Sequence, residues 1–358
     1  MTKGYFSDKR LDRGMQASIF RHSRIKGARS SSLEKDLKQL SYSEWTNFGW
    51  EGALLHIPRA WNPGSITGDR KSGSVRLDDR KMARLEFEWR EARGDDELGR
   101  LVDRYIEGLA KKAQKAGKSL NVERHPESLG LNLPDMRSVE AFSWESEFRV
   151  TTLACYSQKS DRVFFLRAMG HPEEDLSELL QKLFNSLLDT APEAPKLWAL
   201  YDLEFTSPSG YDLEGYDLKS GHIKLSFRKG RNLLQLDRVS LAEILLRTQA
   251  LSNWYREFFK KDLRHYDFEI GDGSVRGHSA LSVKGRPKSR IRGLFRPLPV
   301  WNVQPRFNLD GRAWSCETSN KIFVLHAFWK DQESVTDLCD SCSALLCHLE
   351  DGRSIRSG

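Results

Sequence analysis

The chain has 358 residues, 39% of them hydrophobic and 10% aromatic, which is enough apolar side chain to bury two ordinary cores. No stretch approaches the roughly 20 consecutive apolar residues of a membrane span, and the start, MTKGYFSDKRLDRG, lacks the apolar centre of a signal peptide. Five cysteines suit a reducing compartment, so a soluble, cytoplasmic protein without a membrane partner is expected.

The net charge of +7 is unevenly placed, because residues 1–40 hold ten Lys/Arg against four Asp/Glu and so carry six of the seven charges. That stretch includes Lys3, Lys9, Arg10, Arg13, Arg21, Arg24, Lys26 and Arg29 among Gly and Ser, with few apolar anchors. Residues 1–44 therefore read as a flexible basic arm that orders on a partner.

A first unit is expected over 45–191. It opens at Trp50 with GALLHIP, passes Trp61, and runs through Ser72–Leu77 to the alternating Leu85-Glu86-Phe87-Glu88-Trp89. Alternation of period two, broken by Gly and Pro, predicts antiparallel strands with one buried face. Leu98, Leu101, Val102, Tyr105, Ile106 and Leu109 fall at helical spacing, with Asp95 and Asp96 as caps and Gly117 as a stop. A strand over Val139–Glu147 follows, then two more strands and a closing helix.

A second unit, 192–350, repeats that order before a tail at 351–358. Its markers are Trp198, Leu203-Glu204-Phe205, Pro208, Tyr211, Ser220–Leu225 and Leu234–Leu236, then a helix opened by the pair Ser240 and Glu243, then a strand over Val275–Val283. The match is clearest at the end, where DRVFFLRAMGHPEEDLSELLQKLFNSLL (161–188) lies without a gap on NKIFVLHAFWKDQESVTDLCDSCSALLC (320–347). The expected fold class is α+β: two tandem repeats, each a mostly antiparallel sheet with two helices.

The element order, together with LHIPRAW at Leu55–Trp61 and LEFTSPSGY at Leu203–Tyr211, resembles the small α/β sandwich of the Mog1/PsbP-like superfamily. That resemblance implies a binding or assembly role and no enzymatic one.

The copies differ in one place. The second carries about 23 extra residues, near 284–306, with Lys284, Arg286, Lys288, Arg290, Arg292, Arg296 and Arg306, no acid, and Phe295, Trp301 and four prolines between them. Basic side chains neutralise phosphates and aromatic faces stack on unpaired bases, so this loop and the arm are the candidate contact with nucleic acid or a nucleoprotein complex. An acidic protein is the alternative partner.

Other chemistry is set aside by comparing copies. Cys339, Cys342, Cys347 and His348 suggest zinc, but on the gapless alignment the three cysteines replace Leu180, Leu183 and Leu188 on an apolar helix stripe, so no metal or other cofactor is expected. Cys316 matches Ser157, and Cys155 matches Trp314. His326 matches Arg167 and His278 matches Phe142, which argues against a catalytic histidine. Gly271-Asp272-Gly273 with Gly277 has the spacing of a turn and not of a phosphate loop. Glu86 and Glu88 share a strand face, and Pro134-Asp135 could open an acidic cluster, but no acid-x-Lys follows to complete a nuclease site. Trp50, Trp61, Trp198, Tyr211, Trp314 and Trp329 read as core residues.

Overall fold

The computed structural model describes residues 44–93, 97–117, 119–124, 129–288, 307–330 and 334–348. These residues form one compact unit. Among the described residues no helix is long and apolar enough to cross a membrane.

The chain begins with a hairpin of β1 (Trp45–Trp50) and β2 (Ala53–Pro58). The strands β3 (Asn62–Gly68), β4 (Ser72–Asp78) and β5 (Ala83–Glu91) lead to helix α1 (Leu98–Lys115), and the strands β6 (Val122–Arg124), β7 (Met136–Glu145), β8 (Arg149–Ser157) and β9 (Arg162–Gly170) lead to helix α2 (Ser177–Asn185) and the two-residue β10 (Leu188–Asp189). The second half has the hairpin β11 (Lys196–Leu200) and β12 (Leu203–Ser207), then β13 (Asp212–Lys219), β14 (His222–Lys229) and β15 (Asn232–Ser240). It continues with α3 (Ala242–Leu245), α4 (Leu251–Phe258), β16 (Tyr266–Val275), β17 (His278–Pro287), β18 (Asn308–Cys316), β19 (Lys321–Trp329), α5 (Ser334–Ala344) and β20 (Leu345–Leu346).

These strands make three sheets. One seven-stranded sheet has the order β3-β4-β5-β9-β8-β7-β6, and the other has β13-β14-β15-β19-β18-β17-β16, the same order shifted by ten strands. The third sheet has six strands, β10-β2-β1-β11-β12-β20, three from each half. This corrects the expected fold class. The architecture is antiparallel β in three sheets with five helices among the described residues, and not an α+β pair of repeats that each own one sheet and two helices. Local alternation could mark the β1–β2 and β11–β12 hairpins as strands, but their mutual pairing depends on residues 150 apart in sequence, which no local pattern carries.

The shared sheet is closed by β1 against β11 at Gly49↔Ala199. Each of these residues sits two positions ahead of its own hairpin turn, at Glu51-Gly52 and Tyr201-Asp202, so an approximate two-fold axis passes through the pair. By this relation Trp198 corresponds to Phe48, and Trp61 to Tyr211. Glycine is required on one side of the axis, since a Cβ on Gly49 would lie 2.5 Å from the Leu197 carbonyl oxygen. Beside it Trp50 and Trp198 are fully buried and meet edge to face at 5.3 Å, with Tyr216 on Trp50 at 5.0 Å and Phe227 on Trp198 at 5.1 Å.

In each seven-stranded sheet the last strand is covered on both faces: all nine positions of β9 are buried, as are seven of the nine in β19. A one-faced sheet was the simpler expectation, and the continuous apolar run of Val163–Leu166 is what two-sided burial demands. In the second half Trp254, Tyr255, Phe259 and Leu263 cover one face of that sheet against Leu309, Ile322, Val324 and Phe328. The helix expected from Ser240 is split in two. Leu241 takes a left-handed φ of 64°, and the first turn is capped not by Ser240 but by Asn320, whose Oδ1 accepts from the Glu243 amide at 2.8 Å.

Replacing Gly49 by Ala should lower stability by about 2 kcal/mol or more, whereas Ala199→Gly, across the axis, should cost about 1 kcal/mol. Urea denaturation midpoints of the two variants check this asymmetry.

Candidate functional site

Three of the basic residues singled out in the sequence are described. Lys284 and Arg286 are strand residues of β17 and not part of a loop, and with Lys288 they are exposed. Register sets Lys284 opposite Glu269 and Arg286 opposite Asp267 on β16, and Lys288 Nζ lies 4.0 Å from an Asp267 oxygen. Each of the two strand bases thus faces an acid, which cancels part of the field that the linear sequence suggests. Arg290, Arg292, Arg296, Trp301 and Arg306, and Arg10, Arg13, Arg21, Arg24 and Lys26 of the arm, lie outside the described residues.

The acidic pair on β5 has a structural partner. Arg167, 1% exposed in β9, donates from Nε to Glu86 at 3.1 Å and from Nη2 to Glu88, with Tyr105 of α1 also in hydrogen-bonding reach. A buried guanidinium needs such partners, so these carboxylates are occupied and do not form a nuclease cluster. In the second half the matching places hold His326 for Arg167, Gln235 for Glu86, Asp237 for Glu88 and Tyr255 for Tyr105. His326 Nε2 is 2.7 Å from the Tyr255 hydroxyl oxygen, and His222 Nε2 is 2.7 Å from Asp237 Oδ1. His326 is 1% exposed, and burial pushes its imidazole down to about 4.

A second buried ionisable group lies at the turn of the first hairpin. Glu51 is 4% exposed, and burial pushes its carboxyl up to about 7 against the opposing pull of Arg162, Arg70 and Lys196.

Sequence comparison missed a convergence of His278, Cys316, Cys347 and His348. His278 is the first residue of β17, Cys316 is the last of β18, and Cys347 and His348 directly follow β20. Their ligand atoms lie within 4.8 Å of one another. Cys347 is not on the closing helix, which ends at Ala344, and the β10 and β20 registers make its counterpart Asp189 and not Leu188. Continuing the β17–β18 register by two residues from Ala280↔Trp314 brings His278 to Cys316, the place of Met136 against Ser157, and not the place of Phe142. Only Cys339 and Cys342 lie on the helix, the first exposed and the second buried. The available signal was the adjacent Cys347-His348 at the end of the matched segment, just where the first copy has an acid.

No family model matches the chain. No curated protein matches it. Among solved structures it is similar to the apo structure of the immunity protein TplEi of T6SS from Pseudomonas aeruginosa, at 10% identity and a TM-score of 0.32, over 84% of this chain and 96% of that one. The same immunity protein complexed with "L" peptide matches at 11% identity and a TM-score of 0.32, over 85% of this chain and 98% of that one. At that score the likeness says nothing about partner or activity.

His326 and Glu51 make opposite contributions to the pH dependence of stability. Unfolded histidine takes a proton near 6.5 while His326 resists it down to about 4, so stability from this group falls as pH drops through that window. Glu51 keeps its proton up to about 7 where the unfolded carboxyl loses it near 4.5, so its contribution rises as pH drops through that window. Between pH 6.5 and 4.5 the contributions of these two groups nearly cancel. Glu51→Gln should instead lose about 2 kcal/mol across the same span, read from urea midpoints at stepped pH.

Proposed function

We propose that this is a non-enzymatic binding protein that docks on nucleic acid or a nucleoprotein complex through the end of β17, the segment it leads into, and the basic arm. The observation that carries this reading is the one-sided elaboration of the second half. The first half passes from β7 to β8 by a tight turn, Glu145 to Arg149, while β17 ends at Pro287 and β18 begins only at Asn308. An inserted sequence that the first half does without, following the exposed Lys284, Arg286 and Lys288 and carrying Arg290, Arg292 and Arg296, suits contact with phosphates. The absence of a catalytic role in this reading is supported by the fates of the titratable candidates: Glu86 and Glu88 hold Arg167, and His326 meets Tyr255. Arg167 and His326, at the centres of the two sets, are each 1% exposed.

Fluorescence anisotropy with a labelled single-stranded RNA tests the proposal. Affinity should fall by about 100-fold or more between 50 and 200 mM salt. Arg290→Ser with Arg292→Ser should weaken binding by about ten-fold, and Lys284→Ser with Arg286→Ser by less, because those two charges are already faced by acids. Absence of binding at the lower salt overturns the reading, and capture of an acidic protein instead would replace the partner.

A further inference from the structure

We propose that His278, Cys316, Cys347 and His348 form a structural zinc site that fastens the end of the chain's second half to its sheet. The geometry is close to what the ion requires. His348 Nδ1 lies 3.3 Å from both Cys316 Sγ and Cys347 Sγ, and Cys347 Sγ lies 3.3 Å from His278 Nε2. A tetrahedral zinc with bonds of about 2.3 Å to sulfur and about 2.0 Å to nitrogen has sulfur–nitrogen edges of about 3.5 Å and a sulfur–sulfur edge of about 3.8 Å. The close contacts agree with those edges to a few tenths of an ångström, and no two ligand atoms are farther apart than 4.8 Å.

The ligands come from three elements, β17, β18 and the segment after β20, whose places are set by backbone pairing and not by the site itself. Two thiolates and two neutral imidazoles in a tetrahedral arrangement select zinc over the harder divalent ions. Four protein ligands leave no open position, which makes the site structural and not catalytic. Two thiolates also cancel the ion's charge, so a neutral centre is placed where Cys316 is fully buried and Cys347 is 4% exposed.

The first half shows what this place must do. The counterpart of Cys347 is Asp189, buried and ion-paired to Arg162, with Ser160 also donating to it. That pair ties the short β10, which follows the closing helix, to the start of β9. β20 is as short, only two residues, and among the described residues no such ion pair stands at the matching place, since Lys321, the counterpart of Arg162, reaches Asp202 instead. Without an ion the four side chains would be a poor fastening, because the contacts between them are thiol–imidazole hydrogen bonds, which are weak. Bound zinc supplies the cross-link that the first half makes with opposite charges.

The test is metal content in the full chain, purified from zinc-supplemented cells without chelator and measured by plasma mass spectrometry. We expect one zinc per chain, falling below about 0.1 in Cys316→Ser and in Cys347→Ser but retained in Cys339→Ser, whose thiol is exposed on the helix. Cobalt should replace zinc with the visible absorption of a tetrahedral thiolate site. A strong chelator should lower the melting temperature of the wild-type protein by about 5 °C or more, reversed by added zinc. The proposal is overturned if wild-type protein holds less than about 0.1 zinc both as purified and after incubation with zinc, with melting insensitive to chelator, or if both cysteine variants keep the metal. The chelator titration uses wild-type protein, so it decides the matter even where a variant fails to fold.

Discussion

The pairing of β1 with β11 is the constraint on which the rest of the molecule depends. It joins two three-stranded pieces into one sheet through Gly49 and Ala199, and it does so where no side chain fits on the Gly49 side. Around that contact the indoles of Trp50 and Trp198 touch each other, and through Tyr216 and Phe227 they touch the second seven-stranded sheet. Neither half therefore completes its core alone. Removing either hairpin would expose large aromatic surfaces whose burial is a leading source of stability in such a chain.

With the shared sheet as the frame, equivalent places in the two halves meet the same physical demand with different chemistry. A polar side chain in the middle of β9 or β19 is sealed beneath a helix and must be satisfied. Arg167 takes two carboxylates and lies in reach of a phenol, while His326, left neutral by its surroundings, needs only a phenol beside it. The same logic governs the strands after the closing helices, where Arg162 with Asp189 in one half stands against the Cys/His group in the other. Twin positions are thus constrained by shape and satisfaction, not by residue type. A comparison of residue types alone can discard a real group of interacting side chains.

Much of the local structure could be read from the sequence, and its failures have physical causes. The alternating run Leu85–Trp89 is β5, the apolar face starting at Leu98 is α1, and Gly117, with φ of 67°, lies just beyond that helix. What was not legible is which strands pair. Matching Val139–Glu147 to Val275–Val283 set Val275 on Val139, where the sheet sets Ala280, a slip of five residues that left His278 on Phe142 and not at the place of Met136. The apolar spacing of Cys339, Cys342 and Cys347 was equally deceptive, because the helix stops at Ala344 and Cys347 joins a different group of residues. The basic strand residues looked uniformly positive only because their acidic neighbours, Glu269 and Asp267, lie across the hairpin and earlier in the sequence.

Native-state hydrogen exchange of the backbone amides in Trp45–Trp50 and Lys196–Leu200 tests the shared sheet most directly. Amides that bond across β1 and β11 should open only with global unfolding, at the same free energy as those of β9 and β19. Exchange through a lower-energy opening that leaves both seven-stranded sheets protected would show two independent halves, and would contradict the account.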